Sequence, residues 1–256
     1  MLRTRAQWLI LPLLLTLTAC AGGDKFPFPP QFVSIANVPP TVLAAPPAPD
    51  SSIQKKEIAH IIAVQAKLSA AEKAQVMHED TIKPAMMVAP VLGRAYNEQT
   101  HPQLFLLMRH AASDAWRIAD NTQDYWKRTR PWLTDTRVEL LVKPITRPSY
   151  PSGHTVTNHV WAHVLSDLFP NKKAALFKRA YEVGSNRMLG GVHYPSDVVA
   201  GKKLAAIIYA SMHKNPQFQR ELAAVRAELA SPRAANDNAP LADTCTKQTT
   251  GMTMCH

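Results

Sequence analysis

Apolar positions along the chain recur three and four residues apart, and no segment alternates apolar and polar residues as a half-buried strand does. Ile58, Ile61, Ile62 and Leu68 form a first helical stripe. It is announced by Asp50-Ser51-Ser52, with Gln54 three residues after Ser51 as in a capping box. A second helical stretch covers 71–82, and a Pro- and Met-bearing segment follows at 83–93. The longest stripe, through Leu104, Leu107, Met108, Ala111, Ala115 and Ile118, predicts a helix over 101–130 that Pro131 ends. Val156, Val160, Trp161, Val164, Leu165 and Leu168 predict a helix from near Ser152 to Phe169-Pro170. Another begins near Asn171, an alanine-rich one opens at Pro195-Ser196-Asp197, and the last opens at Asn215-Pro216. The pattern predicts an all-α, bundle-like domain over residues 51–230.

The ends read differently. Residues 1–20 have the form of an export signal: Arg3 and Arg5, an apolar run from Trp8 through Leu15, then Leu17-Thr18-Ala19-Cys20. The last four residues resemble a bacterial lipobox, in which the cysteine is acylated and becomes the new N-terminus. Cleavage within the small-residue pattern Ala19-Cys20-Ala21 is the alternative. The apolar run is short for a membrane span. The expectation is therefore a lipoprotein-type signal peptide and a periplasmic protein whose only membrane attachment is a lipid anchor at Cys20, on the outer membrane given Ala21. Residues 21–50 are a Pro-rich linker suited to an extended arm, part of which can lie on the domain. A polar tail runs over 231–256. Its Cys245 and Cys255 are candidates for one disulfide in an exported protein, with two free thiols as the bland alternative.

The 256-residue chain is 46% hydrophobic, enough for one sizeable core, and carries a formal charge of +10. Two of those charges are Arg3 and Arg5, which leaves +8 after the leader. A basic surface favours phosphoesters, anionic lipid or nucleic acid without choosing among them. Basic and imidazole groups gather at three helix ends: Lys127-Arg128-Thr129-Arg130-Pro131, then Pro151-Ser152-Gly153-His154, then Asn186-Arg187 with His193 and Asp197. At the second, a helix N-terminus with a hydroxyl, a glycine and an imidazole suits a phosphate. Each cluster taken alone has an ordinary structural reading, as a solvated helix end or a capping turn.

In order and spacing the three clusters resemble the signature of the type 2 phosphatidic acid phosphatase superfamily: K-x6-R-P, P-S-G-H, and S-R-x5-H-x3-D. Flanking segments such as Ser149-Tyr150-Pro151-Ser152-Gly153-His154-Thr155 and Tyr181-Glu182-Val183-Gly184 are similar to the bacterial class A non-specific acid phosphatases. The likeness covers roughly residues 80–230. It implies a helical bundle of the kind shared with vanadium haloperoxidases, and phosphomonoesters, small-molecule or lipid, as substrates, with no nucleic acid. Soluble relatives often self-associate, so a homo-oligomer is one expectation, although the sequence itself does not set the oligomeric state. Two positions depart from the pattern. Asn186 stands for Ser, and Gln123 stands where the family has the phosphate-binding Lys. Lys127, one turn beyond Gln123, and Lys143 are candidates to restore the missing charge.

The resemblance implies that His193 attacks phosphorus to give a phosphohistidine. Asp197 would take the other ring N–H, and His154 would protonate the leaving alcohol and then activate water. Arg130, Arg187, Ser152 and Gly153 would bind phosphate oxygens, and no metal or other cofactor would be needed. A vanadium-dependent haloperoxidase, or an anion-binding envelope lipoprotein weakened by Gln123, are the alternatives. His159 and His163, four residues apart, have a zinc-compatible spacing without an evident third ligand. Trp126 and Trp132 flank Arg130 and either line the pocket or belong to the core.

Overall fold

The computed structural model describes residues 28–231; the leader with Cys20 and the tail cysteines Cys245 and Cys255 lie outside them. The described residues form an all-α fold: α1 (Ser52–Gln65), α2 (Ala70–His78), α3 (Pro84–Leu92), α4 (Pro102–Trp126), the short α5 (Pro131–Thr134), α6 (Gly153–Leu168), α7 (Lys173–Leu189), α8 (Pro195–Met212) and α9 (Pro216–Leu229). No strand occurs among the described residues. No helix among them is long and apolar enough to cross a membrane.

The bundle is built round α6. Every residue from Gly153 to Ala162 is buried, as expected of a helix surrounded by others, here α4, α7 and α8. Trp161 is buried against α4 and its indole N–H donates to the Met108 carbonyl at 2.7 Å. Glycines set how closely α7 and α8 approach the start of α6. A Cβ on Gly184 would lie 2.9 Å from Thr155 Oγ1, and one on Gly201 2.8 Å from Thr155 Cβ and 3.0 Å from the Ser152 carbonyl oxygen.

Residues 28–50 lie against this bundle. Phe32, Val33, Val38 and Leu43 enter the main core, and the Asp114 carboxylate of α4 accepts the backbone N–H groups of Gln31, Phe32 and Val33 at 2.7–2.9 Å. A second, smaller core forms where Ile58 and Ile61 of α1 meet Val138, Tyr194 and Trp132. Gln65 fastens the end of α1, donating to the Glu139 and Leu189 carbonyls at 2.7 and 2.8 Å.

The long helix α4 stops at Trp126, short of the predicted Arg130. Lys127 adopts a left-handed conformation (φ 51°) as its C-cap, its N–H bonded to the Gln123 carbonyl at 2.9 Å. The turn sends Arg128 and Arg130 into different surroundings, and the site depends on both.

Candidate active site

The Pro151–His154 turn opens α6. Ser152 is its N-cap: the hydroxyl accepts the Thr155 N–H at 3.4 Å and the Thr155 hydroxyl at 2.9 Å, while its own N–H donates to the Asp197 carbonyl at 3.1 Å. Gly153 lies against Trp116, whose ring would be 3.1 Å from any Cβ there. In front of this turn is a cavity of ≈ 360 Å³. It is lined by Gly153, His154, Arg130, Arg187, His193, Gln123 and Lys143, and also by Asp80, Thr81, Ile82, Trp116, Ile145 and Arg147.

The two buried imidazoles are oriented by backbone carbonyls. His193 Nδ1 lies 2.8 Å from the Ser149 carbonyl oxygen. A carbonyl only accepts, so Nδ1 carries the proton and Nε2 holds a lone pair, 3.2 Å from Arg130 Nη1. His154 Nε2 lies 3.2 Å from the Asp80 carbonyl oxygen and by the same argument carries its proton on that nitrogen. Burial holds both rings well below the usual histidine range, and Arg130 and Arg187 add to the effect. Both are therefore neutral in the free site at neutral pH.

The two arginines present different faces. Arg130 donates through Nε to the Arg147 carbonyl (2.6 Å), Nη1 to Val192 (2.8 Å) and Nη2 to Pro148 (2.9 Å). Of its five N–H groups at most two remain for a ligand, so it offers a charge more than a free fork. Burial lowers it to about 10. Arg187, 1% exposed, spends only Nη1, on Asp80 Oδ1 at 2.6 Å; its Nε and Nη2 have no partner. That edge is a bidentate donor inside a cavity, a geometry that fits two oxygens of one phosphate.

A model of the PAP2 superfamily matches residues 115–221. Over this segment the chain is similar to the PAP2 superfamily. The chain is 33% identical over 165 residues to the non-specific acid phosphatase of Salmonella typhimurium and 32% identical over 143 residues to that of Providencia stuartii. The first match covers 62% of this chain and 65% of the relative, the second 54% and 58%, so the chain spans less than two thirds of either relative. A lipid A 1-phosphatase of Rhizobium etli is 39% identical over 69 residues, 24% of this chain and 30% of that protein. Among solved structures, a bacterial vanadium-dependent iodoperoxidase superposes with a TM-score of 0.53 at 19% identity, over 66% of this chain and 51% of the other, a likeness of fold.

Set against the PAP2 pattern, several expected residues do something else. Gln123, at the position of the missing lysine, is buried and donates to the Pro151 carbonyl at 2.8 Å, bracing the turn. Lys127 does not continue the helix face. It is exposed and lines a separate hollow with residues 45–50, because the left-handed cap turns it away. Lys143 does line the cavity, at its exposed rim. Asn186 points elsewhere, its amide donating to Glu79 Oε2 at 2.7 Å.

Asp197 accepts Arg128 Nη1 (2.6 Å) and the Tyr194 N–H (2.8 Å), and stands 3.4 Å from His193 Nδ1, further than Ser149. Its carboxyl is pushed up by burial to about 6 against the pull of Arg128. Trp126 packs against the main core and Trp132 against the two smaller ones; Trp116 is the cavity tryptophan. His159 bonds to the Thr155 carbonyl and His163 stacks on Tyr209, and no metal-holding cluster occurs among the described residues. Asp80, Trp116 and Arg147 carried no motif signal. Arg147 is recognisable only through its pairing with Asp120 and Asp124 on α4.

Proposed function

We propose that the chain is an exported acid phosphatase that hydrolyses phosphomonoesters at the cavity before α6. The observation that carries the reading is the pair of unpartnered N–H groups on buried Arg187, in one cavity with the His193 lone pair, the Nε2–H of His154 and charged Arg130. The phosphate is held by the Nε/Nη2 edge of Arg187, by Arg130 and by the Gly153 N–H at the helix start, with the Ser152 hydroxyl behind. Lys143 supplies rim charge in place of the absent lysine.

In the first step His193 Nε2 forms the P–N bond as the ester P–O bond breaks, and the leaving oxygen takes the Nε2 proton of His154, which takes up a second proton on Nδ1 when the phosphate dianion binds beside it, so that the ring passes from imidazolium to neutral imidazole. The Ser149 carbonyl and the nearby Asp197 carboxylate stabilise the ring once it is phosphorylated. In the second step water gives its proton to His154 and its oxygen to phosphorus as the P–N bond breaks. Charge neutralisation comes from arginines, so the route runs without a metal. The similarity to non-specific acid phosphatases supports the reaction class, and the shorter one to a lipid A 1-phosphatase supports lipid phosphates as one substrate group.

The test is phosphate release from p-nitrophenyl phosphate in EDTA by protein lacking residues 1–20. Turnover that vanishes in His193→Ala is the expected result; a silent wild type, or full activity in the variant, overturns the mechanism. Export and tethering rest on the 1–20 leader, and lipid labelling that survives Cys20→Ser would refute the anchor.

A further inference from the structure

Arg128 lies outside the cavity, yet three elements converge on it. Its Nη2 donates to Glu57 Oε2 of α1 at 2.8 Å, and its Nη1 to Asp197 Oδ1 at 2.6 Å and to the Ser196 hydroxyl at 2.7 Å. The guanidinium carbon stands 3.7 Å from the Tyr194 ring centroid. Glu57 completes the ring of contacts by accepting the Ser196 N–H through Oε1 at 2.7 Å. Arg128, Glu57 and Asp197 are all buried. Glu57 lies well before the PAP2-matched segment, on a helix placed by Ile58, Ile61 and Gln65.

A carboxylate this close to an imidazole would ordinarily be the stronger acceptor for its N–H. Here the Asp197 carboxylate is drawn to Arg128 on one oxygen and the Tyr194 N–H on the other, and Ser149 holds the His193 proton instead. We propose that Arg128, itself fixed by Glu57, is a positioning residue that restrains Asp197 away from His193, so that the ring is aimed by the Ser149 carbonyl with Nε2 open to the cavity. The charged groups that face His193 are Arg130, Arg187, Arg128 and Asp197, with the titratable His154 ring beside them, and of the charged groups only Arg128 acts on the ring through Asp197. The proposal rests on the phosphatase reading, since the aim of Nε2 matters only if that atom attacks phosphorus.

The experiment compares wild type, Glu57→Gln, Arg128→Lys and the double variant. Its readouts are hydrolysis of p-nitrophenyl phosphate, inhibition by inorganic phosphate, and the Nδ1 proton of His193 by NMR at one fixed pH. A lysine cannot reach Glu57 and Asp197 together, so Arg128→Lys is expected to lower kcat about tenfold or more while KM and the phosphate inhibition constant stay within about twofold. Glu57→Gln lowers kcat less, and the double variant is no worse than Arg128→Lys because Glu57 acts through Arg128. The Nδ1 proton moves downfield in Arg128→Lys as the released carboxylate takes it from Ser149. Unchanged kcat in both single variants, inhibition constants rising in step with the loss, or additive effects would overturn the proposal. If Arg128→Lys does not fold, Glu57→Gln, which keeps one acceptor oxygen, carries the test. A wild type without turnover is a failure of the phosphatase reading; the proton spectra then decide, and an unmoved resonance refutes the restraint.

Discussion

Replacing Asp80 by alanine probes the phosphate site without touching either histidine side chain. Asp80 is the single partner of the Arg187 guanidinium, and the Arg187 side chain is 1% exposed against 17% for Asp80. Removing one member of a buried pair costs about 3–5 kcal/mol, because a charge is left uncompensated. The partial exposure of Asp80 puts the expected loss near the lower end, about 3 kcal/mol. For a domain of this size each kcal/mol moves the melting temperature by about 2–4 °C, so the drop should be about 6–12 °C.

Inorganic phosphate should then do what Asp80 no longer does. At about 100 times its dissociation constant a ligand stabilises by about 2.7 kcal/mol, and the variant should reach that point at lower phosphate than wild type. The assay is a thermal melt of both proteins across a phosphate series, in which the gap narrows as phosphate rises. Equal melting temperatures without phosphate, or a gap that phosphate leaves unchanged, would refute the assignment of Arg187 as the phosphate fork.

Gln123→Lys brings an ammonium into the cavity wall and should tighten inhibition by phosphate about tenfold, equivalent to about 1.4 kcal/mol; unaltered inhibition would show that the position is structural here. Asp114→Ala removes the acceptor of three backbone N–H groups and should cost about 2 kcal/mol or more, with faster amide exchange at residues 31–33 but not in α6. Burial lowers His159 to about 4, and His154 and His193 are lowered as well. A depressed histidine binds its proton in the unfolded chain first, so each contributes stability that is complete above about pH 6.5 and lost as pH falls towards its folded value. Asp197, raised to about 6, works in the opposite sense between about pH 4 and 6. Denaturation across pH 4–7 should therefore show stability falling on acidification, and His159→Gln should flatten the slope; an unchanged slope would contradict the burial argument.

Much of the fold was legible because its helices carry clean stripes and caps: Ser51 and Asn215 cap α1 and α9 as their sequences predict. The end of α4 was not, since a left-handed lysine leaves no signature that distinguishes it from one more helical turn. The motif histidines and arginines do meet at one cavity. What spacing alone could not supply is the partner of each group. The His193 Nδ1 lies closer to the Ser149 carbonyl than to Asp197, whose two oxygens are engaged by Arg128 and by the Tyr194 N–H. Asp80 and Glu57 were invisible as site residues because an acidic residue on an early helix, or in the turn after one, reads as solvated until the fold shows which arginine it meets.

Both of those carboxylates lie early in the chain, and the groups they hold lie late. Synthesis places Glu57 and Asp80 first, then Arg128, and only near the end Arg187, His193 and Asp197. A nascent chain that ends before Arg187 thus carries Asp80 without its cationic counterpart and, on the proposed mechanism, lacks the nucleophile His193. On the proposed mechanism, competence to turn over an ester waits for Asp197 at the start of α8. A chain that stalls before α8 holds the arginines of the cavity without the carboxylate that stands beside His193.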